Sequence, residues 1–229
     1  MQHAVLVVFF FIAYLNVRKA TKNSRKIERK IKMGTRGVYG FRKNGKDKLT
    51  YNHMDSYFSY LGRDIINFVK ETPIEELHKI YDNLILVKES DIPTKEQWEH
   101  LNKCGIEKPE KSVYTLEKKE NDIIDWYSAL REFQGDLCIY KSGLKYMTNS
   151  NDFIKYSLFC EYGYIINLDN NSLEFWIGFQ RRPQKNNRYG TTKYEGYYPC
   201  KLLHKVSISK IKSKNVNELI MFLEKKESK

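Results

Sequence analysis

Apolar and polar positions follow two different periods along this chain, and the changes between them predict its elements. Residues 35–42, TRGVYGFR, set aromatic and β-branched side chains at strand spacing. Asn44-Gly45 follows, a preferred pair for a type I′ turn, whose two central residues both need positive φ. Residues 48–54 then read as the return strand. With Asn44-Gly45 as a two-residue loop, Lys43 faces Lys46, Val38 faces Tyr51 and Arg36 faces His53. Alternation then puts Arg36, Val38, Leu49, Tyr51 and His53 on one face. A longer loop would slip the register and exchange the faces. Gly34, Gly37 and Gly40 match neither a dinucleotide fingerprint nor a P-loop. On a strand they predict close approach by another backbone or an aromatic ring.

After the hairpin the period becomes helical. Residues 64–71 carry Ile65, Ile66, Phe68 and Val69 on one face, and Pro73 opens a second helix over 74–83. Residues 84–87 are a short apolar run, and Thr94 caps a helix over 95–103. Residues 107–119 read as an exposed charged loop. A helix is expected over 122–133, ending at Gly135, and a short one over 151–159; residues 136–146 fit either class. Residues 160–179 read as two strands joined by Asp169-Asn170-Asn171, all turn formers. A polar loop spans 181–193, a strand region 197–208 and a C-terminal helix 216–226. This order predicts a single α+β domain over 33–229: antiparallel sheet with helices packed on it, the first hairpin pairing into the later strands.

Composition changes the picture mainly at the N-terminus. The chain has 229 residues, 41% apolar, with 17 tyrosines, enough for a packed core with many hydroxyls at its rim. Net charge is +12, which by itself points to nucleic acid or an anionic membrane. Residues 1–32 hold eight basic residues against one acid, however, which leaves residues 33–229 with only +5. Within that extension, residues 4–15 form an apolar run of twelve, short of the roughly 20 that a spanning helix needs. The expected origin of the extension is a start codon assigned upstream of the true one at Met33. Glu28-Arg29 can be encoded by a purine-rich element at ribosome-binding distance from that methionine. A short membrane anchor at 4–15 with its basic side inside, or a basic helical arm, are the other readings. The four cysteines, Cys104, Cys138, Cys160 and Cys200, make no C-x-x-C pair and read as reduced thiols of a cytoplasmic protein.

Two groups of residues could carry chemistry. Tyr51-x-His53-x-Asp55 places three protic side chains on one strand face, with Arg36 opposite to hold an anion. His53 could serve as a base that Asp55 orients. A solvated edge strand is the bland alternative. Thr35 is a candidate nucleophile only if processing frees its own amine. The second group is a basic, aromatic loop, Arg181, Arg182, Lys185, Arg188 and Tyr189, suited to a phosphate or nucleic acid. No metal or cofactor is expected, since His53-x-Asp55 lacks further ligands.

Met33-Gly34-Thr35-Arg36-Gly37, with Tyr51-Asn52-His53-x-Asp55-Ser56-Tyr57 and Leu61-Gly62, resembles the opening of a group of uncharacterised bacterial and phage proteins. Glu161-Tyr162-x-Tyr164-x-Ile166-x-Leu168-Asp169 resembles their second hairpin, and the resemblance implies no particular activity. The hairpin is also faintly similar to N-terminal-nucleophile (Ntn) hydrolases, where a second strand ends in an Arg-or-His plus Asp cluster. That similarity implies an αββα sandwich, although Gly34 stands where the family has its nucleophilic Cys. The functional expectation is a hydrolase or amidohydrolase-like cleft at the hairpin. The alternative is a non-catalytic binding protein, a phage or host-interaction factor, for an anionic, phosphate-bearing ligand or nucleic acid.

Overall fold

The computed structural model describes residues 34–114 and 123–228. The expectations for residues 1–33, the anchor and the start at Met33, lie outside the described residues, as does part of the 107–119 loop.

Strands β1 (Gly37–Lys43) and β2 (Lys46–Asn52) form the N-terminal hairpin. Their register is the one a two-residue loop demands, with Lys43 opposite Lys46 and Val38 opposite Tyr51. Asn44 and Gly45 have φ of 52° and 73°, the two positive values of a type I′ turn. The tip is pinned from outside the hairpin. The Asp169 carboxylate accepts the Asn44 and Gly45 N–H groups at 2.5 and 3.0 Å. The Tyr81 hydroxyl reaches the Lys43 and Lys46 carbonyls at 3.2 and 3.1 Å.

A π-helical turn, Phe58–Gly62, leads into α1 (Arg63–Glu71), then α2 (Ile74–Asn83), β3 (Ile85–Val87) and α3 (Lys95–Lys103). Thr94 caps α3 in a reciprocal capping box with Gln97. The helix expected over 122–133 starts only at α4 (Trp126–Leu130), because the Asp125 carboxylate caps it through Ser128 N–H at 2.8 Å. Ile123, inside the span expected to be helical, precedes the helix and is 64% exposed. Residues 136–146 supply a short α5 (Cys138–Lys141) and the start of β4 (Tyr146–Thr148), which pairs in parallel with β3. In place of a helix over 151–159 there is one 3-10 turn, Phe153–Lys155. Ahead of it, Asn151 is committed to the hairpin's outer edge. Its amide accepts Leu49 N–H at 2.8 Å and donates to Asp47 O at 3.0 Å, covering an edge strand that would otherwise stay open. The chain ends with β5 (Tyr162–Asn167), β6 (Ser172–Ile177), β7 (Lys201–Ser207), α6 (Ile208–Ser213) and α7 (Val216–Glu227).

The main sheet has the order β2-β1-β5-β6-β7. It is antiparallel except where β1 meets β5, so the first hairpin does join the later strands, through a parallel seam. One face, including Tyr39, Phe41, Tyr164, Ile166 and Phe175, is buried in one cluster with residues of the helices. The other face carries a smaller cluster, Val38, Leu49, Ile165 and Trp176, buried together with Ile154 and Cys200. The fold is thus α+β, with one large sheet among the described residues.

Two of the three spaced glycines, Gly37 and Gly40, are closely approached by another backbone. A Cβ at Gly37 would lie 2.6 Å from Tyr162 O across the parallel seam. At Gly40, with φ of 153°, it would lie 2.1 Å from Lys48 O across the hairpin. Gly40→Ala is therefore expected to destabilise the fold by about 3 kcal/mol, from backbone strain plus the clash. Urea unfolding measures this as a lower midpoint.

Candidate functional site

The polar run after β2 divides into two sets with different tasks. The first set is structural. Asn52 donates from its amide to Met54 O at 2.6 Å and to Ser56 Oγ at 2.8 Å. Ser56 N–H donates to Thr35 Oγ1 at 3.0 Å, and the Tyr164 hydroxyl donates to Ser56 O at 2.6 Å. Thr35, Asn52, Ser56 and Tyr164 are all buried, so this knot fastens the hairpin's open end onto β5. Thr35, read as a candidate nucleophile, is a buried acceptor at the end of the hairpin. Asp55 lies past the strand. The strand ends at Asn52 and Asp55 has φ of 58°, so the alternation that would set it beside His53 stops short of it.

The second set faces outward. The Tyr51 hydroxyl and His53 Nδ1 share a hydrogen bond of 3.0 Å. Gln134, just past the 3-10 turn Arg131–Phe133, ties this pair to a cation. Its Oε1 accepts both His53 N–H at 3.2 Å and Arg131 Nη1 at 2.6 Å. Arg36 is held just ahead of β1. Its N–H donates to Glu161 Oε1 at 3.1 Å, its carbonyl accepts Glu161 N–H at 2.9 Å, and its guanidinium lies 5.1 Å from the Phe159 ring centre. The pairing of β1 with β2 begins at Gly37 and Asn52, one pair short of Arg36 and His53. Burial lowers the His53 pKa, and the charges of Arg131 and Arg36 lower it further. Burial, with Tyr127 nearby, pushes Tyr51 up to about 12 against the pull of Arg36 and Arg131. At neutral pH the pair is a neutral imidazole and a protonated phenol in the field of two guanidiniums.

Tyr51 also borders an open cleft of about 480 Å³. That volume falls within the range of small-ligand sites, roughly 300–1,000 Å³. Its aromatic lining is Tyr51, Tyr114, Tyr127, Phe153 and Tyr156, with Glu89 and Asp152 at the polar rim. Tyr114 and Tyr127 stack at 5.8 Å, Phe153 meets Tyr51 edge-on at 5.1 Å, and Arg131 lies 5.7 Å from the Tyr127 ring centre. Arg131, Gln134 and Tyr127 escaped the sequence reading. They stand about eighty residues from the hairpin, and the only local signal was a cation four residues after an aromatic near a helix end.

The basic loop divides in the same way. Arg181, Arg182 and Lys185 are exposed. Arg188 and Tyr189, read as ligand-binding residues, make contacts within the fold. Arg188 Nη1 pairs with Glu174 Oε2 at 2.6 Å, with the two side chains 23% and 3% exposed. Glu174 also accepts from Asn167 at 2.7 Å and from Trp176 Nε1 at 3.0 Å. The Tyr189 hydroxyl donates to Asp47 at 2.9 Å, and Arg42 donates to the same carboxylate at 2.8 Å. Among the described residues no three His, Cys, Asp or Glu side chains converge as a metal site, and no helix is long and apolar enough to cross a membrane.

Two outcomes follow from this geometry. Arg188→Ala leaves the Glu174 charge buried without its ion partner, and should cost about 3 kcal/mol in denaturant unfolding. The second concerns pH. His53, His100 and His204 all have pKa values lowered first by burial. Just below the ordinary imidazole value of about 6.5 the unfolded chain therefore binds more protons than the fold. Their contribution to stability is complete above that pH and is lost as pH falls through the folded-state values. His53→Gln should flatten this part of the pH profile without abolishing it, as read by thermal unfolding between pH 7.5 and 5.

No family model, curated protein or solved structure matches this chain.

Proposed function

We propose that this protein binds a phosphate-bearing ligand without chemical turnover. Arg36 and Arg131 hold the anion, and the aromatic cleft seats the rest of the ligand. One observation carries the reading: Gln134 ties the Arg131 guanidinium to the His53 backbone, and the charges of Arg131 and Arg36 both act on the His53 ring. A guanidinium is a planar fork of donors that suits phosphate oxygens. The field that lowers the His53 pKa is the field an anion would offset. The cleft beside Tyr51 supplies stacking surface for an attached ring. The burial of Thr35, and Gly34 one residue before it, favour binding over covalent catalysis. The buried thiols of Cys104, Cys160 and Cys200 fit a cytoplasmic setting.

A second reading, a hydrolase or amidohydrolase-like enzyme at the same cluster, has its support in His53. Held neutral near pH 7 beside a protonated Tyr51, it could take a proton from an attacking water. Under that reading His53→Gln abolishes hydrolysis of an activated ester or amide while thermal unfolding stays intact. Undiminished turnover in that variant would sink it.

The binding reading is tested by NMR titration of the His53 ring with inorganic phosphate and with a nucleoside monophosphate. Bound phosphate should raise the His53 pKa. Arg36→Ala and Arg131→Ala should each weaken binding roughly tenfold, the scale of one hydrogen bond to a charged group. A His53 resonance that ignores both ligands, or wild-type affinity in both variants, contradicts the proposal.

A further inference from the structure

We infer that a path of aromatic and cationic side chains runs from the hairpin cleft to the 179–198 loop and takes single-stranded nucleic acid. The inference rests on the phosphate-binding reading of the Arg36–Arg131 cluster and extends it to a polymer. The path can be followed ring by ring. Tyr51 and Phe153 are in edge contact at 5.1 Å, and Phe153 and Tyr156 line the same cleft. From there Tyr156 packs on Tyr194 with ring centres 4.8 Å apart. Tyr194 and Tyr197 exchange backbone hydrogen bonds of 2.8 and 3.0 Å across a tight turn, with Glu195 and Gly196 at φ of 50° and 82°. Tyr197 in turn meets Phe179 at 6.4 Å.

Phe179 is the least expected member. It has φ of 56°, a conformation that bulky side chains rarely adopt, and it is 53% exposed. Its N–H is held by Ser157 O at 2.7 Å, so the loop fixes the strained residue in place. The cost of that strain and the exposure of a large ring go together with a surface made to be covered.

Cations line the same route. The Arg181 guanidinium lies 3.8 Å from the Tyr197 ring centre and donates to the Tyr197 hydroxyl. Lys193 Nζ lies 5.0 Å from the Tyr198 ring, and Arg182 and Lys185 are exposed on the same loop. Rings for bases alternating with cations for phosphates is the chemistry of single-strand binding, tolerant of sequence because every base has a stacking face. A duplex keeps its bases stacked on one another and would offer these rings nothing. The shared chemistry covers DNA and RNA, which the experiment separates.

The test is fluorescence anisotropy at low salt with labelled ten-residue oligothymidylate and oligouridylate, a three-residue oligothymidylate and a ten-pair duplex. Both the wild-type protein and a Phe179→Ala/Tyr197→Ala variant are measured, with Arg181→Ala as a second variant that leaves the loop's rings in place. The single-stranded ten-mers should bind at least about tenfold more tightly than the trimer and the duplex, lose more than roughly tenfold in the variant that removes both rings, since one stacked base is worth about that much, and lose a smaller, salt-dependent amount in Arg181→Ala. Affinity for the ten-mers should also fall steeply with added salt. Oligouridylate and oligothymidylate binding alike assigns the path to either polymer; a gap of tenfold assigns it to the tighter one. Equal affinity for trimer and ten-mer, equal affinity for duplex, or no effect of either loop variant overturns the path while leaving phosphate binding at Arg36 and Arg131 standing. Loop-dependent binding that survives Arg36→Ala/Arg131→Ala removes the phosphate cluster and leaves the path. No binding of any oligonucleotide overturns the inference outright.

Discussion

The parallel pairing of β1 with β5 is the constraint from which most of the molecule follows. It unites two hairpins that are each local and easily formed, but whose partners, such as Arg36 and Glu161, lie 125 residues apart. Closing so long a loop is entropically costly, and the closure is secured at both ends of the seam. At one end Leu168 N–H donates to Arg42 O at 2.8 Å, and Asp169 accepts both N–H groups of the Asn44-Gly45 turn. At the other, Ser56 is held between Thr35 and Tyr164. The space between the strands admits no side chain at Gly37. The same seam sets Arg36 against Glu161 and Phe159.

The two faces of the sheet are stabilised by different means. The helical face is a broad apolar core. The opposite face buries a few side chains under irregular chain, and its polar groups are satisfied by a network centred on Glu174. A buried carboxylate with an ion partner and two neutral donors adds little net stability over an apolar replacement, but losing its cation is costly. Such a network fixes where the 181–198 loop lies, and hence where Tyr194, Tyr197 and Arg181 stand relative to the cleft.

What could be read from the sequence was what is decided locally. The type I′ turn, the Thr94 cap, α1 and α2, and the second hairpin depend on residues within a few positions of one another. The hairpin register followed from the turn alone. The helix over 122–133 was overextended because periodicity cannot see that Asp125 caps the chain three residues later. The site was legible only in part. Tyr51 lies on β2, while Arg36 and His53 stand one residue outside the paired strands, within reach of the alternation. Alternation could not tell that Asn52 and Ser56 would be consumed by the fold, or that Asp55 follows the strand's end. Arg188 and Tyr189 look like their exposed neighbours in composition. Only the position of Glu174 and Asp47 on other strands turns them inward, and Arg131 and Gln134 reach the site through tertiary packing.

The most direct measurement of this account is native-state hydrogen exchange across the seam. If the parallel pairing is the organising constraint, the amides of Val38 and Gly40 in β1 and of Tyr164 and Ile166 in β5, which point across the seam, open only with global unfolding. Their exchange free energies then equal one another and the denaturant-derived stability. A cheaper opening that releases the β1–β2 hairpin while β5 and β6 stay protected would contradict it, making the hairpin and its Arg36–His53 cluster an appendage rather than the centre of the fold.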